Sequence, residues 1–462
     1  MDSRNTQGES VNAKRSSLLA LLLCGPVFSA FGQINCPTAT TGTTSPVRAK
    51  LVCVLPLTAA DIGAAGTTAS GTTVAQLQQS LVNPFNASFA TQLTQLPVPT
   101  GTVGTAMLKD KDHPYGFAFR NLGPILTDGA ATIGKGRVYA GFSYQHFDFD
   151  RIDDFSLNNF NIGYSYQQYA SPTDLQSIYR TFRDDISFQL DQYVALVTVG
   201  ITQTTDVSVV IPFNSVNASA TASDFKGYVY DSSTNEWITE TAIQTTQSNS
   251  GSASGIGDVS LSVKQIIHGS RSQGTPTAVA VGASLRLPSG DALNYLGSGA
   301  YGGNVYGIFA YRPAKNRISP HLKLSYQWNG YSVLVNTASS TRTNNTLPGG
   351  AQYDGGADVR LRNNLTFAAD LFGSQFDNTP SYSSVNVNLT SIAAKNAPPV
   401  SSLATVSVAN DTYTSANLST GFKWQIHGLL LIGNVTVPVN HAGLHSNPVP
   451  LFGAAYSFNW HK

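Results

Sequence analysis

ISPHLKLSYQWNG, residues 318 to 330, sets Ile318, Pro320, Leu322, Leu324, Tyr326 and Trp328 against Ser319, His321, Lys323, Ser325, Gln327 and Asn329. A period of two is the mark of a β-strand with unlike faces. In a soluble sandwich the apolar face packs on a core. In a membrane barrel it meets lipid, and the polar face lines an aqueous lumen. The strand alone does not choose between these, so the choice has to come from the rest of the chain.

The chain has 462 residues, of which only 11% are charged, against roughly 25% in an ordinary soluble protein. Its 41 Gly, 20 Tyr and 22 Phe with two Met suit a β-rich exported protein whose aromatic rings sit at membrane interfaces. Lys and Arg (27) nearly balance Asp and Glu (26), which gives no footprint for nucleic acid.

Arg4, Lys14 and Arg15 precede the apolar run Leu18 to Leu23, and small residues follow at Ser29, Ala30 and Gly32. That order reads as a secretory signal peptide over residues 1–32. Gly25 and Pro26 stop the run well short of the roughly 20 residues of a membrane helix. Leu23 before Cys24 argues against a lipoprotein anchor. Cys36 and Cys53 remain, and export permits a disulfide between them.

Alternating segments recur from residue 137 to the end, twelve in all, near 137–149, 184–200, 206–213, 257–267, 276–288, 300–312, 317–328, 351–359, 364–373, 412–424, 428–438 and 449–460. Their connections alternate between short (201–205, 268–275, 313–316, 360–363, 425–427) and mostly long (150–183, 214–256, 289–299, 329–350, 374–411, 439–448). One rim of tight turns and one of long loops is what an up-and-down outer-membrane barrel produces. The fold expected is therefore an all-β transmembrane antiparallel barrel of about 12 strands, with the Leu322 and Leu324 face towards lipid. FNIGYSYQQY (160–169), FKGYVYD (225–231) and SVNVNLTS (384–391) also alternate; they either stand above the membrane or raise the count to about 14.

Residues 33–135 differ. They are rich in Thr, Ala, Gly and Pro, with short helices suggested at 73–82 and 86–96. This N-terminal periplasmic segment either plugs the lumen of a barrel spanning 136–462 or trails from it as a disordered tail. The last strand carries Phe452, Ala454, Tyr456, Phe458 and Trp460 on one face, an ending suited to recognition by barrel assembly machinery.

GPILTDGAATIGKGRVYAGFSYQHFDFDRID (123–153), GITQTTDVSVVIPF (200–213), GIGDVSLSVK (255–264), RLPSGDALNYLGSGAYG (286–302), SPHLKLSYQWNG (319–330) and GNVTVPVNHAGLHSNPVPLFGAAYSF (433–458) resemble counterparts in the outer-membrane transporters labelled as the MetA pathway of phenol degradation. RLPSGDALNYLGSG is the most specific piece. The resemblance implies an outer-membrane barrel with a role in uptake of small, often aromatic compounds. With no nucleotide-binding loop in the sequence, the expectation is a passive channel for small hydrophobic or aromatic solutes in a Gram-negative outer membrane, among lipid and lipopolysaccharide. The alternative is a structural or surface-interaction barrel with a closed lumen.

No chemistry is expected beyond this: no enzyme activity, no cofactor and no metal. His146 lies on the lipid-facing register without a G-x-S-x-G elbow, which argues against a Ser/His hydrolase. His441 and His445 are four apart in a loop with no third ligand. Asp148, Asp150, Asp153, Asp154, Asp184 and Asp185, with Arg151, Arg180 and Arg183, read as a solvated rim. Alternation turns Arg137, Lys264, Arg286, His321, Lys323, Asp370 and Lys423 towards the lumen. The basic ring formed by Arg137, Lys264, Lys323 and Lys423 either selects anions or anchors the plug through Asp110, Asp112 or Asp128.

Overall fold

The structure, a computed structural model, describes residues 50–58, 83–98, 122–171, 174–231, 236–239, 246–269, 276–311, 317–335, 346–387, 403–426 and 428–460. The signal segment, the stretch 73–82, Cys36, Asp110 and Asp112 lie outside them. Seventeen strands form one antiparallel sheet. The first eight are β1 (Arg137–Ile152), β2 (Phe155–Ser156), β3 (Phe160–Ser171), β4 (Asp174–Gly200), β5 (Thr205–Asp231), β6 (Glu236–Thr239), β7 (Gln247–Ile256) and β8 (Ser260–His268). Then come β9 (Thr277–Arg286), β10 (Gly302–Tyr311), β11 (Ile318–Asn329), β12 (Gly350–Arg362) and β13 (Leu365–Val387). The chain ends with β14 (Leu403–Ile426), β15 (Leu429–Pro438), β16 (Leu444–Ser446) and β17 (Val449–Asn459).

The sheet closes on itself. β1 pairs with β4 on one side and with β17 on the other, in the register Arg137↔Asn459 and Val138↔Phe458. Twelve strands form the ring; β2, β3, β6, β7 and β16 extend it on the long-loop side. Among the described residues each of the twelve ring strands is paired on both sides, which is what a lipid environment demands of a sheet.

β4 and β5 run for 27 residues each, β13 for 23 and β14 for 24, whereas a tilted span needs about 9–11. Their excess stands above the membrane. It absorbs the three additional alternating segments: 160–169 is β3, paired with the upper half of β4; 225–231 is the top of β5, paired with β6; and the described part of 384–391 is the top of β13.

Side-chain exposure settles which face meets lipid. Leu322, Leu324, Tyr326 and Trp328 are 45%, 57%, 57% and 47% exposed, while His321 and Gln327 between them are 6% and 5%. The same outward belt continues through Val263, Val281, Leu285, Phe309, Leu371, Phe422, Phe452 and Tyr456. Large apolar side chains standing outward around a closed barrel, with charged groups turned in, is the arrangement of an outer-membrane protein.

In the extracellular extension Asp184 is buried between β3 and β5, opposite Phe160 and Ala222. Burial, with Asp185 beside it, pushes its carboxyl up to about 7 from 3.8. A raised carboxyl favours the folded state in its neutral form. That contribution is full below about pH 4 and is lost as pH rises through about 7. Protection factors in residues 178–187, taken relative to the intrinsic exchange rate at each pH, are expected to be lower at pH 8 than at pH 5.5, and Asp184→Asn is expected to abolish the difference.

Candidate functional site

The lumen is filled from the N-terminal side at two levels. At the long-loop end sits α1 (Asn83–Gln95), with Pro84 in its first turn where a missing N–H costs nothing. Phe89, fully buried, meets Phe188, Tyr295 and Phe149 at ring-centroid distances of 4.3, 4.7 and 5.5 Å. Polar contacts fix the end of the helix. Gln95 donates to the Tyr413 hydroxyl and accepts from Ser374 Oγ, both at 2.8 Å, and Gln327 on β11 donates to Thr94 at 3.0 Å.

The RLPSGDALNYLGSG segment is the dock for this level. Asp291 caps a 3₁₀ turn at Leu293 N and pairs with Lys50 at 2.8 Å. Asn294 Oδ1 accepts from Leu51 N, and the Tyr295 hydroxyl donates to Asn86. Asp258 holds the segment from below, accepting from Gly290 N and from both Ser298 N and Ser298 Oγ. Cys53, buried beside this dock, is disulfide-bonded.

The second level is residues 122–136 at the short-turn end. Leu122, Ile125 and Ile133 are buried against Tyr139, Leu196, Leu430, Ile432 and Leu451 of the inner wall. Main-chain groups meet wall side chains: Leu122 N donates to Thr366 Oγ1 at 3.0 Å and Ile133 N to Asp206 Oδ2 at 2.9 Å. The segment then leaves the lumen where Gly136 N bonds Gly200 O at 2.9 Å. At Gly200 any Cβ would lie 1.8 Å from the Gly134 carbonyl oxygen, so only glycine lets the two backbones pass.

The lumen-facing residues read from alternation separate into distinct roles. Lys264, 4% exposed, donates to Asp128 Oδ1 at 3.1 Å and to Gly129 O at 3.0 Å. Lys423, 1% exposed, donates to the carbonyls of Pro124 and Leu122. Arg137 donates to Ile133 O at 3.2 Å. These three hold the 122–136 segment. Lys323 lies over the Tyr306 ring at 4.7 Å, a cation–π contact with the wall. Arg286 stands 3.8 Å from Asp258 and donates to Asn329 at 2.6 Å, which joins it to the upper dock. His321 and Asp370 meet each other, Nε2 to Oδ1, at 2.8 Å.

Between the two levels lies a cavity of about 340 Å³. Leu93 and Leu96 of the helix segment and Leu126 of the lower segment face Leu196, Val210 and Tyr306 across it, while Lys323, Gln327 and Gln352 supply hydrogen-bonding groups. Smaller spaces of about 120 and 80 Å³ adjoin Gln95 and Pro97.

The other polar residues noted in the sequence do not converge. His146 and Tyr144 on the outer wall share Asp191 Oδ1 at 2.8 and 2.7 Å. His441 pairs with Asp154 at 3.2 Å, and its ring centroid stands 6.0 Å from that of His445. Arg183 pairs with Asp224 at 3.1 Å, and Asp153 accepts from Gly443 N and Tyr382 N.

Among solved structures, an outer membrane channel from Pseudomonas putida F1 superimposes with a TM-score of 0.40 at 11% identity, covering 72% of this chain and 99% of that one. The toluene transporter TbuX of Ralstonia pickettii gives a TM-score of 0.30 at 11% identity, covering 73% and 94%. No curated protein matches the sequence. The family described as "Putative MetA-pathway of phenol degradation" matches residues 181–381, a span holding the upper dock, strands β5 to β12 and four of the six stretches that carry the sequence resemblance. The family this outer-membrane barrel resembles in those stretches is therefore the one whose pattern runs through residues 181–381.

Proposed function

We propose that this protein is a passive outer-membrane channel for small hydrophobic or aromatic solutes, gated by its own N-terminal segments. The observation that carries the reading is the cavity of about 340 Å³ between the two lumen-filling levels, a size within the roughly 300–1,000 Å³ of small-molecule sites. Its leucine and valine side chains suit a ring, and they stand among polar groups that include Asp128, Asp206, Asp258, Lys264 and Arg286. Lys323, Gln327 and Gln352 suit a hydroxyl or other acceptor on that ring, so phenol is the probe of choice. Both filling levels are held by apolar packing and side-chain hydrogen bonds to the wall and not by the strand pairing that closes the barrel.

The test is uptake of radiolabelled phenol by cells stripped of their own aromatic-compound channels. Cells carrying the protein are expected to take up phenol several-fold faster, and Leu196→Trp, which fills the cavity, is expected to remove most of the gain. Equal uptake with and without the protein would favour a barrel that stays closed and serves a structural or surface-binding role.

A further inference from the structure

On the inner wall β12 reads Asp354, Gly355, Gly356, Ala357, Asp358, so Asp354, Gly356 and Asp358 share the lumen face. Gly356 pairs with His321 of β11 on one side and with Asp370 of β13 on the other. A Cβ at Gly356 would stand 2.1 Å from Asp370 Oδ1. Glycine is thus what lets the His321 and Asp370 side chains meet above the strand between them. The result is a constellation of one imidazole and two carboxylates, from three strands, whose ligating atoms all lie within 4.8 Å of one another.

Three features mark it as more than a crowd of acids. The Asp370 side chain is 1% exposed and that of His321 2%, yet Asp370 Oδ2 and Asp354 Oδ1 are shielded from solvent without a hydrogen-bond partner. A buried carboxylate oxygen left unpaired is costly, and a cation at the point these atoms share would satisfy both. His321 turns Nε2 towards Asp370, at 2.8 Å, and Nδ1 towards Asp358 Oδ2, at 4.0 Å. Lys423 does not fill the role, because its ammonium is turned onto the Pro124 and Leu122 carbonyls.

We propose that His321 Nε2, Asp354 and Asp370 bind a divalent transition-metal cation. One nitrogen and two carboxylate oxygens suit Zn²⁺ or Mn²⁺ better than Mg²⁺. The fourth position faces the lumen: Thr127 Oγ1, on the lower filling segment, lies 3.0 Å from the same Nε2. A cavity of about 120 Å³ lined by Thr127 and Asp354 gives the ion its way in. The cation therefore bridges the wall to the segment that closes the short-turn end. This site is independent of the identity of any transported solute.

The experiment is Zn²⁺ titration of the untagged full-length protein in detergent after chelator treatment, read by calorimetry and by metal content after gel filtration. The expected result is one tightly held Zn²⁺ per chain, with Mg²⁺ failing to displace it. Asp370→Asn and His321→Ala are expected to weaken binding at least about 100-fold. Gly356→Ala, which leaves every ligand in place but closes the space above the strand, is expected to lose the ion as well. His441→Ala with His445→Ala, the exposed loop pair, is expected to leave binding unchanged. Heat-dependent migration in detergent gels shows which variants keep a folded barrel. Wild-type protein that retains no Zn²⁺ would overturn the proposal, leaving His321 as a proton-bearing ion-pair partner of Asp370. So would binding lost in the loop-histidine variant and kept in Asp370→Asn.

Discussion

Replacing Lys264 and Lys423 together by Met is expected to free residues 122–133 from the wall while the barrel stays folded. The two ammonium groups supply the charged hydrogen bonds to Asp128, Gly129 O, Pro124 O and Leu122 O. A hydrogen bond to a charged group contributes roughly 1.5–3 kcal/mol net. A combined loss of about 3 kcal/mol corresponds to roughly a hundredfold faster amide exchange in the released segment. Exchange mass spectrometry of peptides covering 122–133 reads it directly, with wall peptides from β9 and β10 as internal controls expected to stay unchanged. Lys323→Met is expected to have little effect there, because its ammonium rests on the Tyr306 ring and on nothing in the segment. Parallel loss of protection in wall and segment would mean that the lysines support the barrel as a whole.

Leu324→Arg is expected to destabilise the barrel by about 2–4 kcal/mol in lipid, since a guanidinium on the lipid face near the bilayer midplane carries that cost. Leu324 is 57% exposed at the middle of β11, one residue from Lys323, whose charge already points into the lumen without penalty. Leu324→Phe is expected to change stability by less than about 1 kcal/mol. Urea titrations of refolding into vesicles separate the two. An arginine tolerated as well as phenylalanine would place this face against water and contradict the barrel.

The wall of this protein was legible in its sequence because a barrel strand states its orientation locally. Leu322, Lys323 and Leu324 declare three facings in three residues, and the sorting of tight turns from long loops supplies the rim. The lumen-filling segments were less legible. NASFATQLTQL reads as a helix between prolines, and Asp128 reads as a partner for an inward lysine, but nothing near Asn86 points to Tyr295, 209 residues on. Leu122 and Lys423 are 301 apart. Such pairs obey no short spacing, so only the closure of the ring brings them together. The His321, Asp354 and Asp370 constellation escaped for the same reason, since its ligands come one from each of three strands. The residue that could have found it is Gly356: a glycine at a lumen-facing position between two aspartates marks space reserved above a strand.

The central claim is that residues of the N-terminal segment close a twelve-stranded barrel from within. Single-channel recording in planar bilayers tests it most directly, comparing the full-length protein with a variant lacking residues 33–133, which removes both filling levels. The full-length protein is expected to stay closed with brief openings, and the shortened one to hold a steady conductance at least about tenfold higher on average, as an emptied polar lumen should. The same low conductance from both, with the shortened variant shown to be folded and inserted, would contradict the account.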